Sequence, residues 1–223
     1  MLPDVALLAP SLTVSVPPHV TADTGLDVLT HAIEAFVSPT ASDFTDALAE
    51  KALHLVFEYL PRAVKNGQDS EPRERLHNAS CMAGMAFNNA SLGLCHGMAH
   101  AMGELLHLPH GRSNAMLLPH IIAFNAGLGE RGQFPARARY AKLAKLAGCC
   151  YTEAVAVQSL VNKINSLMAE VGMPRKLDSE EHRAKVSEHL DTLAKAALAD
   201  RCTSGNPREA QAEQIKTLYR KLL

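Results

Sequence analysis

Neither sign of charge is in surplus in this chain: 22 Lys and Arg stand against 23 Asp and Glu, for a formal net charge of −1 and an isoelectric point near 6.8. That balance, with no basic cluster along the sequence, leaves no electrostatic footprint for nucleic acid or for an anionic membrane surface. No apolar run is long enough to cross a bilayer without meeting Pro, His or a charge. Met1-Leu2-Pro3-Asp4-Val5 also lacks the charged-then-apolar layout of a secretory signal. Walker-type phosphate loops are missing too. The 5 cysteines, Cys81, Cys95, Cys149, Cys150 and Cys202, are odd in number and two are adjacent, which suits a disulfide framework badly. A soluble cytoplasmic chain with reduced, mostly buried thiols is expected.

With 223 residues the chain is long enough for a substantial core. Apolar residues recur at helical rather than alternating spacing almost throughout, so the expected fold is all-α, a helical bundle-like domain. One short N-terminal strand is expected, Val5 to Pro10. Helices are expected over about 21–37, 42–65, 71–91, 92–106, 112–126, 136–147, 151–171, 179–199 and 207–222. The first should bury Leu26, Leu29, Ile33 and Phe36, and the second Leu48, Ala52, Leu55, Val56 and Leu60 behind a Ser42-Asp43 cap. Asn206-Pro207 reads as an N-cap with Pro at the first helical position. Breaks at Gly67, Pro109, Pro135, Pro174 and Gly205 separate elements rather than domains, with a softer boundary at 127–132. There Gly127-Leu128-Gly129-Glu130-Arg131-Gly132 matches G-x-G-x-x-G, but a helix precedes it where a dinucleotide fingerprint needs a strand. It reads as a glycine-rich helix end and loop.

Of the 11 histidines, four stand out by their company. His96 and His100 lie one turn apart in Gly93-Leu94-Cys95-His96-Gly97-Met98-Ala99-His100, so their imidazoles share a helix face. Asp27 and His31 repeat the spacing in another apolar stretch, and His110, between Pro109 and Gly111, sits at a turn that can aim its ring at the same point. Singly, Asp27 is a first-turn acid favoured by the helix dipole and any one histidine is a satisfied core or surface residue; His19, His54, His77, His182 and His189 are read that way. Jointly the five groups are costly to bury without a common partner, which points to a metal ion. Four ligands leave one group over as a proton carrier, and spacing does not choose between His96 and His100.

Thr24-Gly25-Leu26-Asp27-Val28-Leu29-Thr30-His31-Ala32-Ile33-Glu34-Ala35, Cys81-Met82-Ala83-Gly84-Met85-Ala86-Phe87, Cys95-His96-Gly97-Met98-Ala99-His100, Pro109-His110-Gly111-Arg112-Ser113-Asn114 through Pro119-His120, and Cys202-Thr203-Ser204-Gly205-Asn206-Pro207-Arg208 together resemble the iron-dependent (group III) alcohol dehydrogenases. The nearest look is to the short-chain enzymes of ethanolamine and propanediol utilisation and to the alcohol dehydrogenase half of bifunctional aldehyde/alcohol enzymes. The resemblance implies the dehydroquinate synthase-like C-terminal helical domain, with Asp27, His31, His96 and His110 as metal ligands. It also implies that His100 lies near the nicotinamide and the reacting alcohol, as a catalytic and cofactor-binding residue. The α/β nucleotide-binding domain that opens such enzymes has no counterpart in this sequence. Residues 1–15 are therefore expected to be a remnant of the seam to it, and residues 16–223 the metal and substrate domain.

Three imidazoles and one carboxylate leave a divalent ion with positive charge and an open position, the arrangement that polarises an alcohol or aldehyde oxygen. Fe(II) is what the resemblance implies, with Zn as its competitor on affinity grounds, and NAD(P) belongs only to the intact enzyme. Phe87, Asn88, Met98, Met102, Leu106 and His107 are expected to shape a pocket for a small aliphatic alcohol or aldehyde. The readings weighed are an alcohol dehydrogenase portion inactive by itself, a metal-binding subunit or assembly module completed by a separate nucleotide-binding chain, and a helical metallohydrolase. Homo-oligomerisation, self-association through an apolar face, weak metal retention and residence in the cytoplasm or a bacterial microcompartment complete the expectations.

Overall fold

A computed structural model describes residues 3–149 and 152–223 of the chain. Among them lie ten α-helices: α1 Pro18–Val37, α2 Asp43–Lys65, α3 Ser70–Ala90, α4 Leu94–Leu106, α5 His110–Asn125, α6 Ala136–Leu146, α7 Glu153–Glu170, α8 Glu180–Glu188, α9 Leu190–Ala199 and α10 Ala212–Arg220. Short 3-10 turns cover Pro10–Thr13 and Thr203–Gly205, and the described residues contain no strand. The all-α expectation matches this architecture. No described helix is long and apolar enough to cross a membrane.

The stretch expected as a strand is irregular. Val5 and Leu7 are 74% and 90% exposed, and with no strand among the described residues to pair with, their backbone has no ladder to join. Cys150 and the expected helix start at 151 lie outside the described residues. Of the described cysteines, Cys95 and Cys202 are buried while Cys81 and Cys149 are only half-buried.

α1 is the central element, packed on α2, α3 and α5. Leu26, Leu29, Ile33 and Phe36 are essentially inaccessible along one side of it, as their spacing predicts, and Ala22, Ala32 and Ala35 let neighbours approach on the others. α2 starts at the Ser42 cap, whose hydroxyl accepts the Thr45 N–H while the Thr45 hydroxyl accepts the Ser42 N–H. Ala52, Leu55, Val56 and Leu60 are buried, and Leu48 is half-buried against the core. α4 packs on α5 and α9, α6 on α7, and α10 on α9. One contiguous apolar cluster runs from Ala22 to Leu222, so 127–132 joins elements of a single core. Gly127, Gly129 and Gly132 all have positive φ in that loop, and the Phe134 ring lies over Gly127, as a helix end rather than a dinucleotide turn requires.

Two boundaries differ from the pattern. The helix expected over 179–199 breaks at His189, where φ −106° and ψ 18° leave helical values; α9 then packs on α4 and α10. The last helix begins at Ala212, not at Pro207, because the Asn206 amide is committed elsewhere. It accepts from the Leu94 N–H and from Asn125, and donates to the Asn125 side chain and the Arg208 carbonyl. From α10 the buried Tyr219 hydroxyl donates to the Met98 carbonyl of α4 at 2.8 Å, tying the C-terminal helix to the helix that carries His96 and His100.

Candidate metal centre

The centre lies where α1, α4 and α5 converge. Asp27 and His31 come from α1, His96 and His100 from α4, and His110 from the first residue of α5. Gly111 makes the approach of α5 close enough, because a Cβ there would stand 2.1 Å from the Asp23 carbonyl oxygen and 3.1 Å from the Asp27 Cβ. A two-pronged Arg112–Asp23 ion pair, at 3.1 and 3.2 Å, braces the same crossing.

Ligand-type atoms of Asp27, His31, His96 and His110 all lie within 4.8 Å of one another. The Asp27 carboxylate stands 3.9 Å from His31 Nε2, 3.8 Å from His96 Nε2 and 3.5 Å from His110 Nε2. These gaps exceed a hydrogen bond, yet two atoms each about 2.1 Å from a shared ion stand up to about 4.2 Å apart, so Asp27 and each of the three rings are close enough to share one ion. The His31 and His96 rings stack at 4.6 Å between centroids. Burial, and after it His96, pulls the His31 pKa down to about 4, and burial also lowers that of His110. Both shifts favour the neutral ring, the form in which an imidazole can ligate a metal.

The test of fit is His96. The residue is 1% exposed, and its Nε2, aimed at Asp27, has no hydrogen-bond partner among the described residues. A buried lone pair left orphaned at the focus of three other donors fits a divalent cation, and an N₃O set suits Fe(II) or Zn alike.

Residues not singled out by spacing hold this set in place. Glu34, 4% exposed and one turn past His31 on α1, accepts the Gly93 and Cys95 N–H groups at 3.0 and 2.7 Å and His96 Nδ1–H at 2.6 Å. One carboxylate thus caps α4 and fixes the tautomer that frees His96 Nε2. Asn114, fully buried, donates from Nδ2 to Asp27 Oδ1 at 2.8 Å and reaches His110 Nε2 at 3.1 Å, joining the two candidate ligands. An acid inside an apolar helix was the available signal for Glu34; Asn114 had none beyond its place one turn after His110.

His100 sits beside the cluster, its ring 5.2 Å from that of His110 and 6.0 Å from that of His96. Its Nδ1 meets Asp200 Oδ2 at 2.8 Å. Burial opposes ionisation of Asp200, but hydrogen bonds from His100 and Cys202 outweigh it and hold the carboxyl pKa below its usual value.

A cavity of about 410 Å³ opens beside Asp27 and His31, lined by Val20, Thr24 and Val28 of α1 and by Arg73, Leu76, His77 and Ser80 of α3. Of the residues expected to shape a pocket, Phe87 reaches the centre, stacking on His31 at 4.6 Å, but Met98, Met102 and Leu106 face the core and Asn88 and His107 are exposed. The reason is helical geometry: Met98 lies about 200° around the helix from His96, on the opposite face. His77, read as a bystander, lines the cavity. His54 pairs with Glu58 at 3.1 Å and His189 bonds the Lys185 carbonyl at 2.9 Å, both in local contacts.

Residues 21–223 match the profile of the Fe-containing alcohol dehydrogenase family, C-terminal part. All of the chain is 50% identical to 60% of the 1-propanol dehydrogenase PduQ of Salmonella typhimurium. Another 44% identity relates 98% of the chain to 52% of the probable alcohol dehydrogenase EutG of Escherichia coli. The crystal structure of a 1,3-propanediol oxidoreductase superposes with a TM-score of 0.90 and 35% identity over 100% of this chain and 56% of its own. The chain thus spans about half to three-fifths of the length of the relatives it matches.

Proposed function

This chain belongs to the iron-containing alcohol dehydrogenase family, as its C-terminal part, and from that premise we propose that it is the metal- and substrate-holding portion of an NAD(P)-linked enzyme interconverting short-chain primary alcohols and aldehydes. The observation that carries the reading is the convergence of Asp27, His31, His96 and His110 around the orphaned His96 Nε2. Fe(II) is the proposed resident ion, with Zn as competitor. Residues 16–223 are read as the metal and substrate domain and residues 1–15 as its border with a nucleotide-binding part. The name of the Salmonella relative supports a small aliphatic substrate. A cytoplasmic or microcompartment setting and a homo-oligomeric state belong to the same proposal.

When bound, the ion supplies positive charge that polarises an alcohol or carbonyl oxygen, and the nicotinamide supplies the hydride acceptor or donor. This chain's own residues prepare the rest. Glu34 presents His96 Nε2 toward the centre, and Asn114 orients the Asp27 carboxylate. Because Asp200 accepts the Nδ1–H of His100, the Nε2 of that ring is left as the atom that takes up or returns a proton. The apolar wall of the cavity, Val20, Val28 and Leu76, limits water beside Asp27 and His31.

Metal analysis tests the proposal. After reconstitution with Fe(II) under reducing conditions, the chain should retain one ion while Asp27→Ala and His96→Ala lose it. Equal metal in all three proteins would refute the ligand set. A chain of only these residues, given iron, NAD and 1-propanol, should form no NADH until the nucleotide-binding portion of a relative is supplied as a separate chain. Turnover without that addition would overturn the division of labour.

A further inference from the structure

Beside the proposed iron centre, α4 and the turn after α9 bring together an imidazole, a carboxylate and a thiol. Ligand-type atoms of His100, Asp200 and Cys202 lie within 4.8 Å of one another. We propose that these three side chains form a second cation site, selective for a thiophilic divalent ion such as Zn²⁺, whose occupancy takes His100 out of proton transfer. The site stands whether or not the chain acts on alcohols.

The turn carrying two of the ligands is built rather than loose. The Cys202 N–H donates to Asp200 Oδ1 at 2.8 Å, the Thr203 N–H to the Asp200 carbonyl at 3.1 Å and the Thr203 hydroxyl to the Ala197 carbonyl at 2.6 Å. Gly97 of α4 makes room for it, since a Cβ there would meet the Thr203 hydroxyl at 2.1 Å. Two protons now point at one carboxylate, from His100 Nδ1 at 2.8 Å and from the Cys202 thiol. A divalent ion can replace both at the same focus. His100 is 40% exposed, which gives an ion a way in, while Cys202 is 7% exposed, which keeps water from competing for the sulfur.

The charges and protons balance. Thiolate and carboxylate together neutralise a 2+ ion, which moderates repulsion from an ion held by Asp27 and three neutral imidazoles. Burial, and after it Asp200, pushes the Cys202 pKa up to about 12, so the thiol keeps its proton until the ion displaces it to solvent. His100 gives Nδ1 to the ion and moves its proton to Nε2, which changes that atom from acceptor to donor. The soft sulfur separates this site from the all-N/O set around Asp27 and favours Zn²⁺ over Fe(II).

Cobalt(II) titration of the metal-stripped chain tests the proposal through thiolate-to-cobalt charge-transfer absorption in the near ultraviolet and the number of ions bound. The expected result is two ions and a thiolate band for the wild type. Asp27→Ala should bind one ion and keep the band; Cys202→Ser should lose it. A wild type saturated without a thiolate band overturns the proposal, as does a band that survives Cys202→Ser or vanishes in Asp27→Ala. Should Cys202→Ser fail to fold, His100→Ala and Asp200→Asn replace it. Each should raise the cobalt concentration at half-saturation of the band by roughly tenfold or more, and unchanged values in both overturn the site.

Discussion

Both oxygens of Glu34 are engaged, Oε2 by the Gly93 N–H and the His96 ring and Oε1 by the Cys95 N–H. Glu34→Gln turns one of those acceptors into a donor facing another donor. It should lower stability by about 2–4 kcal/mol and weaken metal binding about 10- to 100-fold, read by thermal unfolding and metal titration. A variant as stable and as avid as the wild type would show that backbone packing alone orients His96. The His31 pKa near 4 in the folded chain, against 6.5 as its ordinary value, has a definite sign for the metal-free protein. As pH falls the unfolded chain takes the proton first, so stability is intact above about 6.5 and is lost toward 4, by up to about 3 kcal/mol. His120, pulled down to about 4 by burial and by Lys221 and Lys176, acts in the same direction. Urea midpoints at pH 7 and pH 5 should therefore diverge in the wild type and diverge less in His31→Asn; equal gaps would assign the effect elsewhere. Spacing exposed Asp27, His31, His96 and His100 because pairs one turn apart in apolar helices advertise a shared face. It could not expose Asp200, which reaches His100 from another element 100 residues later in the chain.

At the scale of elements, the crossing of α1 and α5 sets the reach of His110. Gly111→Ala would force the two helices apart against the Asp23 carbonyl, costing about 1–3 kcal/mol. It should also lower metal affinity by moving His110 from Asp27, while His96 and Glu34 keep their bond. Unfolding curves and metal titration on the same variant separate the two effects, and full affinity would show that α5 accommodates a methyl group there. Helical periodicity located nearly every helix because each buries one stripe against α1 or its neighbours. The break at His189 carries no Pro or Gly and follows from where α9 must lie to meet α4 and α10, information outside the local pattern. The start of α10 escaped for a similar reason. Asn206 looks like a cap in isolation but spends its amide on Leu94 and Asn125, and Gln214 reaches back to the Gln211 N–H instead. Val5 to Pro10 has the composition of a strand and no partner among the described residues, and pairing rather than propensity decides a strand.

For the whole molecule, Val5, Leu7 and Leu12 expose apolar side chains at 74%, 90% and 80% along one short stretch. Such a run favours association, so sedimentation velocity should show mass increasing with concentration, and Leu7→Asp with Leu12→Asp should suppress the increase. A single monomeric species at all concentrations would contradict this.

The bond from Tyr219 to the Met98 carbonyl makes residues 212–223 a remote support of the helix that carries His96 and His100. Trimming the final dozen residues, or fusing a bulky tag that unseats them, would strip that brace from behind His96 and His100. A lesion in a segment that touches neither the candidate ligands nor the cavity beside them would then surface as a metal-binding defect.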